Sequence, residues 1–181
     1  METTGEVINA VDADIGALQL GVSNQKLVFD SRGDVRSLVA ALTGQAQRTL
    51  LLHTPDLEPL IFDQLAFLDA LQAMVRRHRD SHCYILLQNG RGAIQNGNRL
   101  IELARRLSTR IQIRRPQPEH LDFSETFLLA DDTGYLHRPL YSRYQGTAGF
   151  NNPATNQRLQ RYFMKVWELS GPDAEMRRLH L

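Results

Sequence analysis

The chain has 181 residues, enough for one domain with a sizeable core. With 42% hydrophobic and 23% charged residues it has a globular composition, which sets aside the disordered and fibrous classes. A formal net charge of +1 selects no class of partner, and a single cysteine, Cys83, excludes an internal disulfide.

Residues 1–32 read as an N-terminal arm with short strands near Leu18–Val22 and Lys26–Asp30. The stretch METTGEVINAVDADIG lacks the basic and apolar blocks of a signal peptide. No apolar run reaches membrane-spanning length. The expectation is a soluble cytoplasmic protein with no membrane partner. Asp34 is the expected cap of a first helix, whose apolar positions Val35, Leu38, Val39, Leu42 and Ala46 recur at helical spacing. TLLLHT (49–54) is apolar enough to be a strand covered on both faces. Ile61, Leu65, Leu68, Leu71 and Val75 mark a second helix, ending in basic residues that suit its C-terminus. HCYILLQ (82–88) predicts a second buried strand, with Cys83 in the core.

NGRGAIQNG reads as a glycine-rich polar turn. Leu100, Leu103, Ala104 and Leu107 define a third helix, and RIQIRRP (110–116) a strand nearer an edge. The segment from Asp122 to Asn152 predicts two strands and a polar loop leading to the last helix. That helix is capped by Asn152 with Pro153 in its first turn, and stopped by Gly171-Pro172. The tail after Pro172 is expected to add a helical turn. Alternating helices and strands imply an α/β fold: a single α-β-α sandwich around a largely parallel or mixed sheet.

These elements resemble a single phospholipase-D-like domain. LLLHTPDLEP matches that family's first strand and Thr-Pro turn. FLDALQAMVRRHRDSHCYILLQ matches its next helix and strand, ETFLLADDTGYL its motif strand, and NPATNQRLQRYFMKVWELS its closing helix. Residues 33–181 are taken as this domain. LLADDTGYLHRP and RRLHL further resemble an uncharacterised bacterial family sometimes found after acetyltransferase domains. The phospholipase-D resemblance implies a His-x-Lys-(x)4-Asp motif, two copies per site. One histidine attacks phosphorus, the other protonates the leaving oxygen, and the lysines stabilise the phosphoryl oxygens. Aligned on Asp131, this chain has Ser124 for the histidine and Thr126 for the lysine. Its only lysines are Lys26 and Lys165. The resemblance therefore implies a degenerate motif and a pseudoenzyme, a non-catalytic interaction or anion-binding domain.

The alternative is a phosphodiesterase with an altered site using His53 and His137, formed across a homodimer. His53 ends a central strand, where ligands bind in open parallel sheets; the plainer reading is a hydrogen-bonded histidine at the core edge. His120 is expected to be solvated. His137 and Arg138 lie near the lost motif and are the candidate ligand contacts, with Arg143 and Tyr144 in the loop that follows. Arg138 is expected to meet an anion or to pair with Asp131 or Asp132. NGRGAIQNG could cradle a phosphate on its backbone N–H groups. Ten arginines between Arg76 and Arg115 face only Asp80 and Glu102 in that stretch. They suit a phosphate-containing ligand, nucleic acid, a protein partner or a second copy of the chain. No cofactor is implied. No metal is implied either, because His78 and His82 straddle a helix end.

Overall fold

The structure, a computed structural model, describes residues 5–172. The chain opens with a three-residue strand, β1 (Val7–Asn9), and two short 3-10 turns, then β2 (Lys26–Phe29). The expected strand at 18–22 is instead a turn. The N–H groups of Val22 and Ser23 both reach Gln19 O, and Gly21 takes φ +79°, a conformation that ends an extended run.

Helix α1 (Arg32–Gln45) is capped by Ser31 rather than Asp34. The Ser31 hydroxyl accepts from Asp34 N–H and donates to the Asp34 carboxylate, so the aspartate sits inside the first turn, where negative charge is favoured. β3 (Thr49–Thr54) follows. The single expected second helix is two, α2 (Pro59–Phe62) and α3 (Leu65–Arg77). β4 (His82–Leu87) leads into NGRGAIQNG, which folds as the five-residue helix α4 (Arg91–Gln95) rather than an open turn. Then come α5 (Arg99–Arg106), β5 (Ile111–Arg115), and the antiparallel pair β6 (Thr126–Ala130) and β7 (Gly134–Arg138).

The polar loop contains a further strand, β8 (Gly146–Gly149). Glycine explains both its presence and its weak signal. A Cβ at Gly146 would lie 2.1 Å from His137 O and 2.7 Å from the Phe29 ring. Only glycine fits this pairing, yet glycine is depleted in strands generally. α6 (Pro153–Leu169), with Asn152 Oδ1 accepting from Thr155 N–H, and a two-residue β9 (Gly171–Pro172) end the described chain. The expected C-terminal helical turn and the RRLHL segment lie outside the described residues.

All strands join one nine-stranded sheet in the order β1-β2-β8-β7-β6-β3-β4-β5-β9. Among the described residues only the β1–β2, β3–β4 and β4–β5 pairs are parallel, so the sheet is mixed. Leu50 and Leu52 on β3, with Ile85 and Leu87 on β4, face the larger core under α1, α3 and α5. Leu51 and Leu86 face a smaller one under α6, with Phe127, Leu129, Tyr135, Leu159 and Phe163. Two apolar faces on β3 and β4 are why those runs read as continuous rather than alternating. Cys83 is buried in the larger cluster, and burial pushes its thiol pKa up, which removes it as a nucleophile. No described helix is long and apolar enough to cross a membrane.

Candidate functional site

At the carboxyl ends of β3, β4 and β5 the chain opens into a crevice of about 480 Å³. Asp56 comes from the turn after β3, Gln88 from the end of β4, Arg91 from the start of α4 and Arg115 from the end of β5; Leu121 and Tyr141 close it from two loops. This is the position at which open sheets with parallel strands bind ligands. Burial raises the Asp56 carboxyl above its ordinary value, while the Arg138 charge opposes the rise. Gln88 Nε2 donates to Phe123 O, which leaves its side-chain oxygen as an acceptor for the crevice. Among the described residues no acceptor meets the Arg115 guanidinium. The Arg91 N–H is held by Asn89 Oδ1 at 3.3 Å, so the expected backbone cradle in NGRG is already used at that position.

Arg138 is behind the wall rather than in the opening. Its side chain is 1% exposed and its Nη1 lies 2.5 Å from Glu58 Oε1. Its Nε donates to Arg143 O at 2.9 Å, its Nη2 to Tyr141 O, and its guanidinium lies 5.0 Å from the Tyr144 ring. The acidic partner is thus Glu58, not Asp131 or Asp132. An anion at Arg138 would have to displace a buried carboxylate and two carbonyls. Arg143 contributes its carbonyl, while its side chain is exposed.

The three positions aligned with the motif do not meet. Ser124 is exposed and precedes the strand, with its carbonyl accepting from Tyr141 N–H at 2.9 Å. Thr126 is buried, its hydroxyl 3.4 Å from that of Thr54. Asp131 lies at the other end of β6, roughly 16 Å from Thr126 at ~3.3 Å per residue. There its carboxylate accepts from the N–H groups of Gln47, Arg48 and Thr49 at 2.9, 2.9 and 3.0 Å. It staples the α1–β3 connection to the β6–β7 turn, at φ +48°.

His53, Phe127 and His137 stand in one cross-strand row on the α6 face, Phe127 in the middle. The outer backbones are therefore ~10 Å apart. His53 is fully buried. Its Nδ1–H donates to Glu125 O at 3.0 Å, and its Nε2 has no partner among the described residues. It stacks on Phe127 at 5.2 Å and meets Phe123 and Tyr162 edge-on. Burial lowers its pKa from 6.5 to about 4, so the ring is neutral at ordinary pH. His137 Nε2 lies 2.5 Å from Glu125 Oε2 and is partly exposed. His120, expected in solvent, is half-buried with its ring 6.4 Å from Tyr162.

The ten arginines do not form one face. Arg77 binds the carbonyls of Gly44 and Ala46, Arg110 those of His78 and Arg79, and Arg99 pairs with Asp63. Arg114 lies 4.3 Å over the Trp167 ring. Among the described residues, no group of three or more His, Cys, Asp or Glu could hold a metal ion. Asp56, Glu58, Gln88 and Glu125 are not among the candidates of the sequence, and Arg115 is there only as one of the ten arginines. Position alone could have found Asp56, Gln88 and Arg115, since each follows or ends a parallel strand at its carboxyl end.

The fold recurs in solved structures. TrmBL2, an archaeal chromatin protein, superposes with a TM-score of 0.60 at 14% identity over 86% of this chain and 56% of its own. This chain thus spans little more than half of that protein. Nuc, a phospholipase D family member from Salmonella typhimurium, superposes with a TM-score of 0.51 at 13% identity, over 76% of this chain and 89% of its own. The α/β fold is therefore phospholipase-D-like; at these identities the likeness concerns the fold alone. No curated protein matches the chain in sequence. The family model described as domain of unknown function DUF7931 matches residues 31–179, and the chain belongs to that family.

Proposed function

We propose that this chain is a non-catalytic binding domain on a phospholipase-D-like fold, and that it takes a phosphate-containing anion in the crevice at the carboxyl ends of β3, β4 and β5. The observation that carries this reading is the crevice itself, with Arg115 on its lining in the ligand position of the fold. A guanidinium offers a planar fork of donors that matches phosphate and stays charged at any working pH. The motif positions support a loss of chemistry. Neither Ser124 nor Thr126 supplies an imidazole or an ammonium, and Asp131 is engaged at the far end of its strand. Nucleic acid is one source of such an anion: the TrmBL2 structure is described as showing a novel mode of DNA binding.

Amide shifts under titration with inorganic phosphate, sulfate and a short oligonucleotide test the reading. Shifts confined to residues 88–91, Arg115 and Tyr141, weakened about tenfold in Arg115→Ala, are expected from the loss of one charged contact. No shift there at millimolar ligand would sink it.

One observation favours a second reading. The His137–Glu125 pair is partly exposed, and a carboxylate-oriented imidazole is how a general base is built. His53 cannot join it, being buried with Phe127 between them. Hydrolysis of bis-p-nitrophenyl phosphate above background, abolished in His137→Ala, would establish a phosphodiesterase. The expected outcome is no turnover.

A further inference from the structure

Tyr141 is fixed more firmly than an exposed loop residue needs to be. Its N–H donates to Ser124 O at 2.9 Å, and its carbonyl accepts from the guanidinium of Arg138. That guanidinium is itself buried and paired with Glu58. Holding a charged side chain inside a protein is costly unless each donor is met. Here the donors are met by the loop's own carbonyls at positions 141 and 143, so the buried charge and the loop conformation depend on each other. Tyr141, which lines the crevice, is 38% exposed. Among the described residues it stacks on no other ring and its hydroxyl has no partner. A pre-set, unpartnered aromatic face on a ligand crevice lowers the ordering cost of stacking.

The crevice is also too varied for a bare anion. It presents three separate chemistries: the Arg115 guanidinium, the Asp56 carboxylate with the Gln88 oxygen as acceptors, and the Tyr141 and Leu121 surfaces. A ligand matching all three carries a phosphate, hydrogen-bond donors and a flat ring.

Resting on the anion-binding reading above, we infer that the crevice accepts a nucleotide. Its phosphate meets Arg115, its base lies on Tyr141, and its sugar hydroxyls or base amino group donate to Asp56 and Gln88. The nucleotide is either free or the 5′-phosphorylated end of a single strand, and both present the same groups.

Calorimetric titration of the full chain with AMP, CMP, adenosine, inorganic phosphate and a trinucleotide with and without its 5′-phosphate decides it. AMP is expected to bind at least about fivefold tighter than phosphate, the gain of one base stacked on an aromatic ring, and tighter than adenosine by the phosphate contact with Arg115. Tyr141→Leu, at an exposed position that does not threaten folding, is expected to abolish the preference for AMP over phosphate. A trinucleotide that binds only with its 5′-phosphate identifies a strand end as a source; AMP binding alone identifies the free nucleotide. Phosphate binding with no gain for AMP, or a gain that survives in Tyr141→Leu, overturns the nucleotide inference and leaves the anion site standing. No binding of any probe removes both.

Discussion

Glu58 and Arg138 meet across 80 residues of sequence, Oε1 to Nη1 at 2.5 Å, with the arginine sealed from solvent. The pair joins the segment after β3 to the end of β7. Both flank the crevice, so it fixes the spacing of two loops rather than binding a ligand. Removing one partner leaves a buried charge or an unmatched fork. Arg138→Ala and Glu58→Ala are each expected to lose about 3–5 kcal/mol in urea denaturation. Arg138→Lys should recover little, because a lysine cannot satisfy the carboxylate and the Tyr141 and Arg143 carbonyls together. Additive losses in the double variant would show that the two side chains are not energetically coupled.

His53 gives the fold a pH dependence of defined sign. Its pKa is depressed from 6.5 to about 4 by burial, so the folded state holds the neutral ring while the unfolded chain takes up a proton. Its contribution is complete above pH 6.5 and is lost as the pH falls from there towards 4. The total is about 3 kcal/mol, of which about 2 is gone by pH 5. Denaturation midpoints measured at pH 7.5 and 5 in the wild type and in His53→Gln should separate this share from that of the carboxylates. An identical pH slope in both proteins would refute it.

Asp131 aligns with the aspartate of the phospholipase-D motif, but its contacts are structural. Asp131→Ala leaves three backbone N–H groups without their carboxylate and removes a residue type that tolerates positive φ. A loss of about 2–3 kcal/mol is expected, allowing for water at this partly exposed turn. Ligand binding at the crevice should be unchanged, because Asp131 sits at the opposite end of the strands. Weakened phosphate binding in this variant, at a temperature where it is folded, would contradict that separation.

Some of this was legible in sequence for identifiable reasons. β3 and β4 announced themselves because each is covered on both faces, and α6 because Asn152 and Pro153 mark its start and Gly171-Pro172 its end. β8 was hidden because close packing against His137 and Phe29 demands glycine, which carries no strand signal. The arm strand was misplaced because β1 is three residues long and Leu18 and Leu20 are instead tied to Gln45 on α1. Arg138 stood out by its place after the motif strand. Its partner did not, since nothing local connects it to Glu58. Glu125 was missed for the opposite reason. It lies beside Ser124, but its bonds to His53 and His137 come from strand neighbours that only the register creates.

The two faces of the sheet are unequally protected. Five helices, α1 to α5, contribute to the larger core, while α6 alone closes the smaller one. If α6 lifts away, Leu51, Leu86, Phe127 and Leu129 lose their cover together, and Tyr162 leaves the ring cluster that keeps water from His53. Protonation of His53 and release of α6 are then one cooperative opening, a partial unfolding that acid favours. Hydrogen-exchange protection along α6 should fall between pH 6.5 and 4 while β3 and β4 stay protected through the large core. The released species would display an apolar sheet face, making mild acid, rather than heat, the condition under which this protein self-associates.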